Sequence, residues 1–215
     1  AQGRRVLLLT RCRGELPDPP ARLDPDTLDF LALLPLQNRI RDSVPETFAY
    51  FARQGVDVKV ISGDDPRAVS HVAAQAGIQG ASQWVDAAAI KNDRELEKAA
   101  ACCTVFGRVT PEQKRKLVHA LQKQGHTVAM TGDGVNDVLA LKDADCGIAM
   151  ASGAQAASQV AQLVLLDSDF GALPHVVAEG RRVINNIQRS ASLFLVKNIF
   201  SVLLSVVSLV LPLAY

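Results

Sequence analysis

Two carboxylates, Asp133 and Asp137, stand four residues apart around a glycine turn that follows an apolar segment, residues 127–130. The apolar segment predicts a buried strand, and Gly132 and Gly134 permit a tight reversal at its end. Mg²⁺ prefers hard oxygen ligands and binds through one or two carboxylates while it keeps waters and substrate phosphate. The turn therefore predicts a magnesium and phosphate site. The alternative is an acidic turn that caps a helix.

A second polar loop follows a second apolar segment. Residues 56–61 predict a strand, and Ser62, Gly63 and Asp64 then offer a hydroxyl and backbone N–H groups. Asn136 begins a predicted helix after the acidic turn, where free N–H groups favour an anion. Because open α/β sheets bind ligands at the carboxyl ends of their strands, we expect both loops to lie along that edge.

Lys114 is a candidate phosphate ligand because of its place in a predicted helix. Thr110 is a suitable N-cap, Pro111 fits the first helical position and Gln113 completes a capping box. A cation in the first turn opposes the helix dipole, so an anionic partner explains Lys114 better than surface stability does. Lys116, further along the same helix, is predicted to be solvated.

A helix, a glycine, a strand and a polar loop follow one another twice, which predicts a parallel sheet with helical crossovers. The two helices are predicted over 43–54, with a capping box from Ser43 to Glu46, and over 110–124; Gly55 and Gly125 end them. Further helices are predicted over 66–76 and 94–101, and further strands over 3–10, 104–106 and 147–150. The predicted fold class is α/β, with a doubly wound parallel sheet.

The pattern changes from residue 172, where a predicted helix runs past Arg181, Arg182 and Arg189 into an apolar stretch, 199–215. About 40 residues at ~1.5 Å each span roughly 60 Å, enough to pass from a soluble domain into a lipid bilayer. The basic residues precede the apolar stretch, so the positive-inside rule places the α/β domain in the cytoplasm. The alternative is a buried core helix.

Composition narrows the classes of partner. The formal net charge is +1 and aromatic residues make up 5% of the chain, without interleaved basic residues, which argues against a nucleic-acid partner. Cys12, Cys102, Cys103 and Cys146 lack Cys-x-x-Cys spacing and predict reduced, buried thiols of a cytosolic domain.

The polar loops occur in a specific order. Ser62-Gly63-Asp64, residues 105–114 and residues 131–137, followed by residues 145–150, closely resemble the motifs of P-type cation-transporting ATPases. The resemblance implies a haloacid dehalogenase-like fold and the second half of a phosphorylation domain leading into the fifth transmembrane helix. It divides the chain into a return segment from a missing nucleotide-binding domain (1–30), the phosphorylation domain (31–171), and a stalk with a transmembrane helix (172–215). The finer match is to a bacterial calcium- or magnesium-type subgroup.

The same resemblance implies roles for individual residues. Those roles are phosphate binding by Ser62, Gly63, Lys114 and Asn136, metal binding by Asp133 and Asp137, and nucleotide binding by Asp64 and Arg108, with Ser62, Lys114 and Asp133 as the catalytic set. In the family, ATP phosphorylates the aspartate of an Asp-Lys-Thr-Gly-Thr motif, which this chain lacks. The implied cofactor is Mg²⁺, and the implied substrate is ATP. The transported ion would be Ca²⁺ or Mg²⁺. The parent would be a multi-pass protein of the cell membrane, and its other domains would be the missing pump domains.

Two alternative functions stay open. One is a non-catalytic, membrane-anchored fragment that binds phosphate and Mg²⁺ and needs a partner fragment. The other is a haloacid dehalogenase-like phosphatase, because Asp167 and Asp169 follow an apolar segment as in the nucleophile motif of those enzymes. Gly171 and Ala172 stand where that motif has a threonine, which disfavours the phosphatase.

Overall fold

The structure is a computed structural model that describes residues 5–12, 28–36 and 39–210. The chain divides into two compact units, Ala1–Gly171 and Ala172–Tyr215. The loop predicted at 13–26 lies outside the described residues. The elements of the first unit are the strands β1 (Arg5–Cys12), β2 (Leu28–Leu36), β3 (Val60–Ile61), β4 (Trp84–Asp86), β5 (Val105–Gly107), β6 (Ala129–Gly132), β7 (Cys146–Met150) and β8 (Leu163–Leu165), and the helices α1 (Ser43–Arg53), α2 (Pro66–Gln75), α3 (Asp93–Cys102), α4 (Pro111–Lys123), α5 (Val138–Asp143) and α6 (Gln155–Val160).

Six of the described strands are parallel, as the sequence predicted, and they form two sheets rather than one. The first sheet has the order β3-β5-β4 and the second the order β6-β7-β8. Strands β3 and β6 each end a sheet, and no described strand pairs with their outer edges. Strands β1 and β2 form a separate antiparallel ribbon with exposed apolar side chains; β2 was not predicted from the sequence.

Helix α4 packs against the cores of both parallel sheets. Leu117 belongs to a buried cluster with Phe106 of β5. The neighbouring Val118 belongs to a second buried cluster with Met130 of β6. Side chains one position apart diverge by about 100° on a helix, so one helix can serve two cores. The position of α4 is thereby fixed relative to both sheets.

The ends of α4 follow the local sequence rules. The Thr110 hydroxyl accepts a hydrogen bond from the Gln113 amide at 3.3 Å, and Gln113 Oε1 accepts one from the Thr110 amide at 3.0 Å. This confirms the predicted capping box. At the other end, Gly125 has a φ of +86°, a conformation that side-chain-bearing residues rarely adopt.

The start of α1 contradicts a prediction. Asp42 already has helical angles (φ −64°, ψ −27°), and its side chain makes no capping hydrogen bond. Ser43 therefore lies inside the first turn, where its carbonyl accepts a hydrogen bond from Thr47 Oγ1 at 2.8 Å. The predicted capping box between Ser43 and Glu46 is wrong for this reason. Strand β3 is also shorter than predicted, because only its last two residues pair with β5.

The second unit contains α7 (Leu173–Val210), a helix of 38 residues. It includes an 18-residue window with a mean hydropathy of 2.0, so it is long and apolar enough to cross a membrane. The side chains of that window are exposed, which favours the membrane interpretation over a buried core helix. Residues 211–215 of the predicted apolar stretch lie outside the described residues.

Candidate phosphate and magnesium site

An ion pair joins α4 to the turn that follows β6. Lys114 Nζ lies 2.6 Å from Asp137 Oδ1, and the two side chains are only 13% and 10% exposed. Asp137 Oδ2 also accepts a hydrogen bond from the Gly134 amide at 3.3 Å. Removing two charges from water costs free energy that only good mutual geometry offsets, so each group depends on the other. The anionic partner of Lys114 in this structure is therefore a carboxylate of the predicted magnesium turn.

The turn separates a buried carboxylate from an open one. A Cβ on Gly132 would lie 2.6 Å from Asp137 Cβ, so Asp137 folds back over the end of β6 only because residue 132 is glycine. The 3₁₀ turn Val135–Asp137 carries it there. Asp133 and Asn136 are exposed. Asp137 therefore orients the lysine, whereas Asp133 and Asn136 face solvent and are open to a ligand.

The loop after β7 supports the backbone of Asp133. The Ala154 amide donates a 2.7 Å hydrogen bond to the Asp133 carbonyl. A Cβ on Gly153 would lie 2.5 Å from that carbonyl oxygen. Gly153 was not predicted as a residue of the site, since nothing in its local pattern shows a contact with a distant turn. The available signal was its place after a strand of the predicted parallel sheet.

Gly153→Ala is expected to displace the Asp133 turn, because the added methyl group meets backbone atoms that cannot rotate away. Such overpacking typically costs about 1–3 kcal/mol in the free energy of unfolding. Chemical unfolding measures that loss, and faster hydrogen exchange at the Ala154 amide locates it. Gly180→Ala is the control, since a Cβ there meets nothing within 4 Å. Unchanged exchange at Ala154 in the Gly153 variant would contradict the close contact.

The loop after β3 is tied to the segment between β5 and α4. The Ser62 amide donates to the Phe106 carbonyl at 2.9 Å, and the Ser62 carbonyl accepts from the Val109 amide at 3.0 Å. The Ser62 hydroxyl accepts from the Asp64 amide at 3.2 Å, and Gly63 is exposed. Ser62 is thus connected to the start of α4, and α4 in turn to the magnesium turn.

Arg108 directly follows β5, at the carboxyl end of that strand, and pairs with carboxylates. Its amide donates to the Asp64 carbonyl at 2.8 Å, and its backbone has a positive φ of 52°. Its guanidinium donates to Asp86 at 2.9 Å and to Asp65 at 3.0 Å. The Arg108 side chain is 54% exposed, and exposed ion pairs contribute only about 0–1 kcal/mol, so a ligand can compete for it. Neither Asp65 nor Asp86 was predicted from the sequence as a partner of Arg108.

A further set of contacts joins α4 to α5. Asp143, at the end of α5, accepts hydrogen bonds from Arg115 Nε and, at 2.8 Å, from His119 Nε2. The Arg115 guanidinium, together with the His119 imidazole, holds the pKa of Asp143 below its usual value, although partial desolvation acts in the opposite direction. These contacts fix α5, which begins directly after Asp137. They therefore help to hold Asp137 in its position beside Lys114.

Asp167 and Asp169 lie elsewhere. They follow β8, which pairs with β7 and not with β6. Asp169 Oδ1 accepts a hydrogen bond from the Gly171 amide at 2.9 Å and lies 3.8 Å from Arg41 Nη1. The segment that resembles a phosphatase motif therefore forms a turn.

The donor set suits a magnesium ion that is shared with a phosphate. Asp133 supplies an exposed carboxylate, and Asp137 supplies a second one that is already paired with Lys114. Among the described residues, no group of three or more histidine, cysteine, aspartate or glutamate side chains could form a metal cage. Mg²⁺ does not need one, because it binds through one or two carboxylates and completes its shell with waters and phosphate oxygens.

Comparisons with known proteins agree with this fold. A family model described as haloacid dehalogenase-like hydrolase matches residues 11–145. The calcium-transporting ATPase CtpE of Mycolicibacterium smegmatis is 53% identical over 207 residues, 96% of this chain and 26% of that protein. Magnesium-transporting ATPase, P-type 1, of Salmonella typhimurium is 34% identical over 95% of this chain and 23% of that protein.

A solved structure is also similar. The crystal structure of a zinc-transporting PIB-type ATPase in the E2.Pi state is 25% identical, with a TM-score of 0.62 over 87% of this chain and 24% of that chain. The chain thus spans about a quarter of the length of the relatives it matches.

Proposed function

This chain belongs to the haloacid dehalogenase-like hydrolases and has relatives named cation-transporting ATPases, and on that basis we propose a function for it. We propose that it is the phosphate- and magnesium-binding half of a pump's phosphorylation domain. The observation that carries the proposal is the buried pair of Lys114 and Asp137 beside the open carboxylate of Asp133. Phosphoryl transfer needs mainly positioning and charge neutralisation, which this arrangement can supply.

The proposed roles follow from exposure and contacts. The Ser62 hydroxyl, the Gly63 amide, the Asn136 amide group and the Lys114 ammonium bind the phosphoryl oxygens. Asp133 is the main Mg²⁺ ligand because it is exposed, whereas Asp137 orients Lys114 and supports the metal site. Mg²⁺, when bound, neutralises charge on the phosphoryl group. Asp64 and Arg108 contact the nucleotide, with Arg108 leaving its partners Asp65 and Asp86.

The nucleophilic aspartate has a natural place in this fold. Strands β3 and β6 have outer edges that pair with no described strand, and each leads into a loop of the site. Unpaired strand edges recruit further strands. A parallel strand between them would satisfy both edges and end beside Ser62 and Asp133. We assign the aspartate-bearing strand of the parent pump to this place, with ATP as the phosphoryl donor.

The remaining parts fit a membrane protein. We assign residues 1–30 to the return from a nucleotide-binding domain, and the ribbon that β1 forms with β2 exposes apolar side chains that such a domain would cover. The window of α7 supports residues 172–215 as stalk and transmembrane helix, and Arg181, Arg182 and Arg189 before it support a cytoplasmic location for residues 31–171. The transported cation is Ca²⁺ or Mg²⁺, the ions in the names of the relatives.

Labelled ATP tests this function on two proteins. With Mg²⁺, the full-length parent is expected to form an acid-stable phosphoenzyme that hydroxylamine removes, whereas the 215-residue chain forms none and does not hydrolyse p-nitrophenyl phosphate. Mg²⁺-dependent turnover by the chain alone would contradict the proposal and favour the phosphatase. A parent without phosphoenzyme would contradict it too, in favour of a non-catalytic binding fragment.

A further inference from the structure

Cys102 and Cys103 present two neighbouring thiols at the end of α3. Their Sγ atoms are 3.6 Å apart, and the four cysteines are free. Cys102 is exposed and Cys103 is partly exposed, which contradicts the expectation of buried thiols. That expectation failed because the apolar pattern around the pair continues into β5, whereas the thiols themselves stand at the helix end before the strand enters the core. Two accessible sulfur atoms at this distance can bind to a single atom.

Cys102, one member of the thiol pair, borders a cavity at the opposite end of the strands from the phosphate site. Cys102 lines a cavity of about 240 Å³ together with Lys59, Gln83 and Thr104. Lys59 directly precedes β3 and Thr104 directly precedes β5, so the cavity lies at the amino ends of these parallel strands. The proposed phosphate residues follow the carboxyl ends. The cavity is therefore a separate site with room for a small organic group.

The chemistry of Cys103 narrows the class of ligand. Burial raises the pKa of its thiol to about 11, with a further rise from the hydrogen bond and charge of Cys102 and an opposing effect of Lys59. The thiolate is the nucleophile in thiol–disulfide exchange and in oxidation. A thiol that stays protonated at neutral pH is poorly suited to those reactions. The 3.6 Å between the two Sγ atoms suits a ligand that binds both sulfur atoms and whose binding releases both thiol protons in water.

We propose that Cys102 and Cys103 form a dithiol site for trivalent organic arsenicals. An aryl arsenoxide, R–As=O, forms two As–S bonds while its As=O bond breaks. The oxygen leaves as water with both thiol protons, arsenic stays trivalent and neither sulfur is oxidised. The second As–S bond is intramolecular, so the pair benefits from a high effective concentration that separate thiols lack. A monothiol should therefore not remove the arsenical, whereas a small dithiol should.

The local hydrogen bonds connect occupancy to the fold. The Cys103 amide donates to the Ala99 carbonyl at 2.8 Å, and the Cys103 carbonyl accepts from Lys59 Nζ at 2.7 Å. The ring that three-coordinate arsenic closes would include the peptide bond between Cys102 and Cys103, directly before the segment that leads into β5. Binding of the arsenical is thus expected to change the backbone conformation directly before β5, the central strand of the first sheet.

Phenylarsine oxide tests the site on the folded, full 215-residue chain. After treatment and a wash with excess 2-mercaptoethanol, intact mass is expected to show one retained adduct, which 2,3-dimercaptopropanol removes. Trypsin cleaves after Lys98 and Arg108, so the adduct should map to the peptide 99–108. Cys102→Ser and Cys103→Ser should each lower retention roughly tenfold or more. The controls Cys12→Ser and Cys146→Ser remove lone thiols and should retain the adduct.

Three results would overturn the proposal: no adduct on the unsubstituted chain after the monothiol wash, an adduct on another peptide, or full retention in Cys102→Ser and Cys103→Ser. The mapping on the unsubstituted chain decides the location without any substitution, so a variant that fails to fold leaves the test intact. None of these measurements depends on phosphorylation. The outcome is therefore independent of the proposed pump function.

Discussion

Asp133→Ala in the full-length parent is expected to abolish phosphoenzyme formation and to leave the protein folded. The substitution removes the exposed carboxylate proposed as the main Mg²⁺ ligand. Metal stabilisation of a transferring phosphoryl group contributes several kcal/mol, so a loss of at least about a hundredfold in rate is expected. Surface substitutions usually change the free energy of unfolding by less than about 0.5 kcal/mol, so thermal unfolding should change little.

The control for this experiment is another exposed aspartate. Asp93 is 73% exposed and pairs with Lys116 on the surface. The Asp93→Ala variant of the parent should therefore form the phosphoenzyme at the normal rate. Phosphorylation is measured with labelled ATP over a range of Mg²⁺ concentrations. Retained phosphorylation of Asp133→Ala at normal Mg²⁺ would contradict the assigned role. A recovery at high Mg²⁺ would support it, because a weakened site is filled by mass action.

Lys114→Ala is expected to lower both stability and phosphorylation. It leaves Asp137 buried without its partner, and breaking a buried ion pair in this way costs about 3–5 kcal/mol. It also removes the proposed phosphate ligand. Lys116→Ala is the matched control on the same helix. Lys116 is 41% exposed and pairs with surface carboxylates, and such pairs contribute only about 0–1 kcal/mol.

A double substitution separates the two roles of Lys114. Groups in direct contact are not additive, so Lys114→Ala with Asp137→Ala should lose less free energy of unfolding than the sum of the single variants. Phosphorylation should stay lost in the double variant, since the Lys114 ammonium no longer faces the phosphoryl group. Additive losses of stability would contradict the ion pair, and restored phosphorylation would contradict the role of Lys114 in chemistry.

The features predicted correctly from the sequence were those set by neighbouring residues. The capping box of Thr110 and Gln113 and the ends of two helices before Gly55 and Gly125 depend on a few positions along one segment. The parallel α/β fold followed from the repeated order of helix, glycine and strand. The resemblance to P-type cation-transporting ATPases, which rested on ordered motifs, is confirmed by the relatives.

The features that the sequence did not predict depend on contacts between distant segments. The partner of Lys114 is a carboxylate from another crossover unit, and the close approach of Gly153 to Asp133 joins two loops. The division of the strands into two sheets depends on which edges find partners. The exposure of Cys102 depends on where α3 ends relative to the core. Periodicity and local motifs contain no information on such contacts.

The most direct test of the central claim is the intact mass of the native membrane polypeptide that contains this sequence, read with its N-terminal sequence. We expect a product about four times the length of this chain, since the chain covers 26% of its calcium-transporting relative. We also expect an Asp-Lys-Thr-Gly-Thr motif upstream of residue 1. A native product near 23 kDa would contradict the account, because such a polypeptide could not supply the phosphorylated aspartate.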